Sequence, residues 1–201
     1  MKHEYIRTHI TDLPFDNHHV KRIIEEEVRH QSIVTNHRRL RICDPFARRS
    51  WLTTKPQGIE GTTNDLDPSM PTDYHLEAKD FAKLMVDKVK TFDIILFDPP
   101  YNLSQLKRNY KGIGKNLELW QTLNPFGEAR DMLAMCLRHG GSVISFGFGS
   151  RGFGKNRGCE KIAIYNFEPS GTENRYNIQM IVERSLQTSL TSFSEVCEPS
   201  S

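Results

Sequence analysis

Acidic side chains follow four predicted strands of this 201-residue chain, at the point where each strand ends. They are Asp44, Asp65, Glu77 and Asp98, at intervals of 21, 12 and 21 residues. A single acid at the end of a strand is usually a turn or a helix cap. Four in succession indicate a shared ligand-binding edge, because ionised carboxylates make strong hydrogen bonds to hydroxyl and ammonium donors.

The last of these acids opens the motif Asp98-Pro99-Pro100-Tyr101, directly after the apolar run FDIILF. The Asp98 carboxylate and the Pro99 carbonyl are two hydrogen-bond acceptors, and the fixed φ of proline holds the backbone between them rigid. Tyr101 adds a flat ring beside these acceptors. The structural alternative is a strand-ending aspartate with a Pro-Pro turn and a buried tyrosine.

An open α/β sheet is the architecture that the hydrophobic pattern predicts. Helices are expected over 20–30, 79–89 and 125–141, from helical spacing of apolar residues or from start and stop signals. Strands are expected at 39–46, 58–65, 74–78, 92–98, 142–150, 160–168 and 174–185. Strands alternating with connections favour a mostly parallel twisted sheet with helices on both faces. The last two strands are joined by a short turn, so one antiparallel strand is expected near the C-terminus.

A single domain over 1–185 is expected, with 186–201 as a loose tail. The polar residues 1–18 and the basic stretch 102–116 are expected to be irregular. The length leaves no room for a second domain.

The motifs together resemble class I S-adenosylmethionine-dependent methyltransferases that modify exocyclic amino groups of nucleic-acid bases. Residues 98–101 match their catalytic motif, in which Asp, Asn or Ser precedes Pro-Pro and an aromatic residue. ICDPFARRSW, TTND and LEAKDF stand where that family has its cofactor motifs. YKGIG at 110–114 and the glycine-rich 145–158 are similar to small adenine-specific DNA methyltransferase-like proteins of phages and mobile elements. The resemblance covers about 39–185.

The resemblance implies a Rossmann-like methyltransferase fold with S-adenosylmethionine as cofactor. Asp65 would hold the ribose hydroxyls, and Glu77 would lie near the adenine amino group, with Ala78 lining the pocket. The residues implied to border the methionine end are Asp44, Phe46 and Ala47.

The resemblance also implies the reaction. An exocyclic amine of adenine or cytosine is a poor nucleophile, and its N–H groups need acceptors while it attacks a methyl sulfonium. The Asp98 carboxylate and the Pro99 carbonyl could accept them, and Asp98 could also take the proton. Tyr101 would stack on a base that has left the duplex. Aspartate as the first residue favours adenine N6 over cytosine N4.

Two basic segments with aromatic residues and glycines follow predicted strands, which suits contact with nucleic acid. Their basic residues are Lys107, Arg108, Lys111 and Lys115 in the first segment and Arg151, Lys155 and Arg157 in the second. Solvated surface charge is the alternative for either segment. Because no separate target-recognition domain is expected, base choice would depend on short loops, a homodimer or a partner protein.

The chain departs from the wider family in its first cofactor motif. Most relatives have a glycine-rich turn there, because a backbone without Cβ can approach the cofactor closely. Residues 46–51, FARRSW, contain no glycine. This departure supports an alternative in which a degenerate fold acts as a nucleic-acid-binding or interaction module. RNA base N-methylation is another alternative, since small enzymes acting on RNA also carry Pro-Pro-aromatic motifs.

Composition narrows the class of protein. The formal charge of +2 neither requires nor opposes a polyanionic partner. Four cysteines without metal-ligand spacing indicate reduced thiols, with neither a disulfide nor a metal site. No apolar run approaches the roughly 20 residues that cross a bilayer, and the N-terminus lacks a signal core. A cytoplasmic protein of a bacterium or a virus-infected host cell is therefore expected, with no membrane contact.

Overall fold

A computed structural model describes residues 1–8, 14–36, 38–118, 122–124, 126–168 and 177–186. The predicted tail lies outside the described residues, apart from Leu186. The described strands are β1 (Lys2–Arg7), β2 (Leu40–Asp44), β3 (Ile59–Thr63), β4 (Phe92–Phe97), β5 (Leu137–Gly147), β6 (Cys159–Glu168) and β7 (Ile178–Ser185). The described α-helices are α1 (His18–Val34), α2 (Ala78–Asp87), α3 (Leu103–Gly112) and α4 (Gly127–Met135).

The strands form one sheet in the order β1-β6-β7-β5-β4-β2-β3. β7 pairs antiparallel with both β5 and β6, and the remaining described pairs are parallel. The predicted fold class, a mostly parallel sheet with an antiparallel strand near the C-terminus, is confirmed. Parallel strands bring the chain to the same edge at each carboxyl end, and this edge carries the candidate site.

Helices cover both faces of the sheet, as predicted. One apolar layer lies beneath α1, and the other lies beneath α2 and α4. The first layer includes Val20, Ile23 and Ile24 of α1 with Ile42, Ile94, Leu96 and Ile144 of the sheet. The second includes Phe81 and Met85 of α2 and Leu133 of α4 with Cys43, Ile95, Phe97 and Val143. The central strands are buried on both faces, which explains their continuous apolar sequences.

Two predictions at the sheet edges are wrong. Residues 2–7 are not irregular but form β1, an edge strand that pairs with β6 and buries only Ile6, so its sequence lacks an apolar run. Residues 74–78 are not a strand. Tyr74 forms a single bridge with Asn64, and the chain then enters α2 directly after Glu77.

The prediction of a loop over 102–116 is also wrong, because residues 103–112 form α3. Asn102 caps this helix by accepting a hydrogen bond from the Gln105 N–H at 2.8 Å. Leu106 and Tyr110, one turn apart, are its buried residues. Because only these two residues of α3 are buried, the sequence shows too few apolar residues at helical spacing to predict a helix among the basic residues.

The predicted helix over 125–141 ends early, at Met135. Gly140 and Gly141 belong to β5 and do not terminate the helix. The register between β4 and β5 shifts beside them, and Gly140 has a φ of 70°. A Cβ on Gly141 would lie 3.1 Å from the Asp93 carbonyl oxygen, so glycine permits the close approach of the two strands.

A buried carboxylate ties the amino end of β4 to its neighbours. Asp93 has no exposed side-chain surface, and its Oδ1 accepts hydrogen bonds from Arg38 and from Arg138 Nε, each at 2.5 Å. Its Oδ2 accepts from the Arg41 backbone N–H at 2.8 Å. The same strand therefore has a structural acid at its amino end and Asp98 at its carboxyl end.

Candidate functional site

A pocket of about 630 Å³ lies at the carboxyl edge of the sheet. Its walls come from the turn after β2, the loop after β3, the start of α2, the motif after β4, and α3. Eight of the ten predicted catalytic and cofactor residues line it, and five of them are Phe46, Asp65, Glu77, Ala78 and Asp98. Pro99, Pro100 and Tyr101 line it as well. The sequence therefore predicted the edge at which these side chains meet.

Two predicted cofactor residues lie behind the pocket wall. Asp44 is fully buried, and its Oδ1 accepts a hydrogen bond from the Phe46 N–H at 3.1 Å. Ala47 is buried and donates its N–H to the Asn64 carbonyl oxygen at 2.9 Å. These contacts shape the turn that presents Phe46 to the pocket. Among the described residues, Asp44 Oδ2 is buried without a hydrogen-bond partner, and burial raises the pKa of Asp44 to about 7.

Stability is expected to fall as pH rises, because burial raises the pKa of Asp44 from 3.8 to about 7. The folded state then binds the proton more tightly than the unfolded chain, so the free energy of unfolding decreases between about pH 4 and about pH 7. Asp44→Asn retains an acceptor for the Phe46 N–H and removes this titration. Urea midpoints at about pH 5 and about pH 8 should differ less in the variant than in the wild type. An equal difference in both proteins would contradict burial of Asp44 as a source.

Asp65 is held by the backbone around it. Its Oδ2 accepts from the Arg48 N–H at 3.2 Å, and its Oδ1 accepts from the Asp67 N–H at 2.9 Å. The preceding Asn64, which the sequence analysis did not single out, is buried and joins three segments. Its amide donates to the carbonyl oxygens of Pro45 and Leu76 at 3.1 and 3.0 Å. Asn64 thus fixes the β2 turn beside the entrance to α2.

Glu77 connects the start of α2 to α3. Its carboxylate accepts a hydrogen bond from the Tyr110 hydroxyl. Burial, followed by the hydrogen bond to Glu77, raises the pKa of Tyr110 far above its ordinary value. Tyr110 was not predicted as a site residue, and its helical spacing from Leu106 is the signal that places it toward the pocket.

The Asp98 motif forms the wall nearest α3. Asp98 Oδ1 accepts from the Tyr101 hydroxyl at 2.7 Å, and the Tyr101 N–H donates to Gln105 Oε1 at 2.8 Å. The Tyr101 ring lies edge-on to Phe148, with centroids 5.1 Å apart. Burial raises the pKa of Asp98 to about 7, while the Tyr101 hydroxyl and the charge of Arg48 act in the opposite direction.

The predicted nucleic-acid residues fall into two surroundings. Lys107, Arg108 and Lys111 are exposed on α3, and Lys115 is exposed just after it. Of these four, Arg108 alone lines the pocket. In the second segment Arg151 and Lys155 are exposed, whereas Arg157 Nε lies 2.7 Å from Asp131 Oδ1. Arg157 also donates to the Phe153 carbonyl oxygen at 2.9 Å, so part of its function is structural.

The glycine-rich second segment is fixed by Glu183 of β7. This buried carboxylate accepts hydrogen bonds from the Phe153 and Gly154 N–H groups at 2.6 and 2.8 Å. Gly152 and Gly154 have φ values of 50° and 81°. Phe153 is buried, and its ring lies edge-on to Phe97 at 5.2 Å. The glycines therefore allow the backbone to pass close to Glu183.

Gly152→Ala is expected to destabilise the fold by about 1–3 kcal/mol, because the new Cβ requires both a strained φ and displacement of Glu183. Its ideal position lies 2.3 Å from Glu183 Oε2. Gly149→Ala is the matched control, since nothing lies within 4 Å of a Cβ there. That control should stay within about 0.5 kcal/mol of the wild type in urea unfolding. Equal stability of the two variants would contradict the close approach of Glu183.

No group of three or more His, Cys, Asp and Glu side chains is placed to hold a metal ion within the described ranges. Nor does any described helix have the length and apolar character to cross a bilayer.

Known proteins share the fold of this chain but not its sequence. No protein-family model matches the chain, and no curated protein sequence does either. A Listeria monocytogenes protein assigned to the S-adenosylmethionine-dependent methyltransferases aligns over 75% of this chain and 93% of its own, with 10% identity and a TM-score of 0.50. The N-methyltransferase NodS of Bradyrhizobium japonicum, solved with S-adenosylhomocysteine, aligns over 86% and 90%, with 10% identity and a TM-score of 0.49.

A third solved structure, TrmN from Thermus thermophilus, aligns over 79% of this chain and 48% of its own, with 14% identity and a TM-score of 0.48. The chain spans about half the length of several solved structures that it resembles, TrmN among them. Identities this low establish the fold alone. The strand order and the similarity to the Listeria monocytogenes structure together assign this chain the class I fold of S-adenosylmethionine-dependent methyltransferases.

Proposed function

We propose that this chain transfers a methyl group from S-adenosylmethionine to an exocyclic amino group of a nucleic-acid base. The amino group that we propose is N6 of adenine in DNA. One observation carries the proposal. Asp98, Pro99, Pro100 and Tyr101 line the same pocket as the acids Asp65 and Glu77. A cofactor held by the two acids would therefore share its pocket with the motif that accepts an amine.

The pocket chemistry fits the cofactor. Asp65 and Glu77 offer carboxylate oxygens for ribose hydroxyls and for an adenine amino group. Phe46 and Ala78 add apolar surface. The volume of about 630 Å³ lies within the range typical of small-molecule sites. The bound cofactor would supply an electrophilic methyl group on a sulfonium.

Asp98 and Pro99 would act on the target amine. The Asp98 carboxylate and the Pro99 carbonyl accept its N–H groups, which favours the geometry in which the nitrogen can attack. Tyr101 and the neighbouring Phe148 offer aromatic surface to the base. Because Tyr101 donates its hydroxyl to Asp98, the incoming amine would have to share or replace that hydrogen bond.

The exposed basic residues would meet the phosphate backbone. Lys107, Arg108, Lys111 and Lys115 lie on or beside the helix that lines the pocket, which suits nucleic acid entering from that side. Arg151, Lys155 and Arg157 would add contacts from the segment after β5. Target choice would come from these loops, from a homodimer or from a partner protein.

The test is incubation with labelled S-adenosylmethionine and unmethylated DNA, followed by nucleoside analysis. N6-methyladenine is the expected product. Label in RNA with none in DNA would favour an RNA base methyltransferase. Calorimetry with S-adenosylhomocysteine covers the remaining alternative, because a chain that fails to bind it at millimolar concentration would be a degenerate interaction module.

A further inference from the structure

Arg48 occupies an unusual backbone position at the pocket wall. It lies in the turn after β2 and has a φ of 46°, in the left-handed region that residues with a Cβ avoid. Four described residues other than glycine have a positive φ, and Arg48 is the one among them that lines the pocket. Strained residues of this kind concentrate at ligand sites, so the position calls for a functional explanation.

Contacts on both sides hold the turn in this conformation. The Arg48 N–H donates to Asp65 Oδ2 at 3.2 Å. The preceding Ala47 donates its N–H to Asn64 and accepts one from Ser50 at 2.7 Å. A glycine would satisfy the same backbone geometry without strain. Arginine at a position where glycine would be unstrained therefore indicates a role for the side chain.

Arg48 is exposed and shares the pocket lining with Asp65, Asp67 and Asp98. Its positive charge lowers the pKa of Asp65 and of Asp98, against the effect of burial, and also that of Asp67. Arg48 and Arg108 are the basic residues among the described pocket lining, and Arg108 belongs to α3. At the β2 turn, Arg48 is thus the cation that a ligand anion could meet.

The proposed cofactor has one anionic group, the carboxylate of its amino-acid end, beside an ammonium and a sulfonium. Asp65, Glu77 and Asp98 can accept hydrogen bonds from hydroxyl groups and cations, but they would repel the carboxylate, for which a guanidinium is a strong bidentate partner. We infer that Arg48 binds this carboxylate and thereby distinguishes nucleosides that carry an amino acid from those that do not. The inference rests on the proposed function.

Two ligands and one substitution isolate this contact. S-Adenosylhomocysteine carries the carboxylate, and 5′-methylthioadenosine lacks the amino-acid end. In calorimetry, Arg48→Met should weaken the binding of S-adenosylhomocysteine roughly ten- to a hundredfold, as expected for the loss of a charged hydrogen bond. Affinity for 5′-methylthioadenosine should change less than about twofold. Arg49→Met is the matched control, since Arg49 is exposed and does not line the pocket. It should leave both affinities unchanged.

A glycine variant separates backbone strain from charge. Arg48→Gly should raise the urea midpoint, because glycine adopts the positive φ without strain. It should nevertheless weaken the binding of S-adenosylhomocysteine as much as Arg48→Met does. Equal weakening of both ligands by Arg48→Met would overturn the inference in favour of a role in pocket shape. So would unchanged binding of S-adenosylhomocysteine. A wild-type chain that binds neither ligand would instead overturn the proposed function itself.

Discussion

Asp98→Ala is expected to slow methyl transfer to DNA by roughly a hundred- to ten-thousand-fold, the range for loss of a catalytic acceptor or base. The carboxylate is half-buried in the pocket wall, where its hydrogen bond to a reacting amine is stronger than in bulk water. Asp65 and Glu77 are unchanged in the variant, so S-adenosylhomocysteine should still bind. Single-turnover rates and calorimetry on the same preparation measure the two effects separately.

Asp98→Asn separates the two roles of this side chain. Asparagine keeps an acceptor oxygen of nearly the same size but cannot take a proton. It also stands at this position in some of the enzymes that the sequence resembles. If Asp98 serves as an acceptor, Asp98→Asn should stay within about tenfold of the wild-type rate. An asparagine variant as slow as the alanine variant would contradict the acceptor role and assign Asp98 as the base.

The pH profile gives the second measurement. Burial raises the pKa of Asp98 to about 7, so the carboxylate form is gained as pH rises through about 7. The kcat/KM of the wild type should therefore rise over that range and level off above it, since this ratio reports on the enzyme before it binds substrate. Asp98→Asn should lose the rise. A rise that persists in the variant would place the titration elsewhere, with Asp44 the first candidate because burial also raises its pKa to about 7.

The acids at the ends of β2 and β4 could be predicted from the sequence because their positions depend on residues that are close to them in the chain. β2 and β4 are largely buried on both faces, and the acids at their carboxyl ends emerge at the edge shared by parallel strands. Asp44 and Asp98 were therefore placed correctly at that edge. Glu77 reached the pocket by another route, since it precedes a helix and does not follow a strand.

Other parts of the site depend on contacts that are distant in sequence. β1 is a strand because it pairs with β6, and its own residues give no apolar run. The glycine-rich segment is shaped by Glu183, which belongs to a different strand. Arg48 takes a glycine-like backbone because Asp65 accepts its N–H. Residue propensities cannot predict such positions, because the partner that stabilises the strained backbone lies in another loop.

Asp93→Ala is expected to have the largest effect on stability among single acid replacements, a loss of about 3 kcal/mol or more. The substitution leaves the Arg38 and Arg138 guanidinium groups without the buried carboxylate that both contact. It also removes the acceptor for the Arg41 N–H. Since domains of this size are stable by only about 5–15 kcal/mol, urea unfolding should show a large shift of the midpoint.

Asp131→Ala is the matched control, because Asp131 also pairs with an arginine but is largely exposed, at 60% of its side-chain surface. Its loss should cost less than about 1 kcal/mol. Asp93 and Asp98 lie at opposite ends of β4, so their variants should show opposite behaviour. Asp93→Ala should lower stability and keep the rate per folded molecule, whereas Asp98→Ala should lose the rate and remain folded. Loss of the rate in folded Asp93→Ala would contradict this division, because the structural acid would then also position the catalytic one.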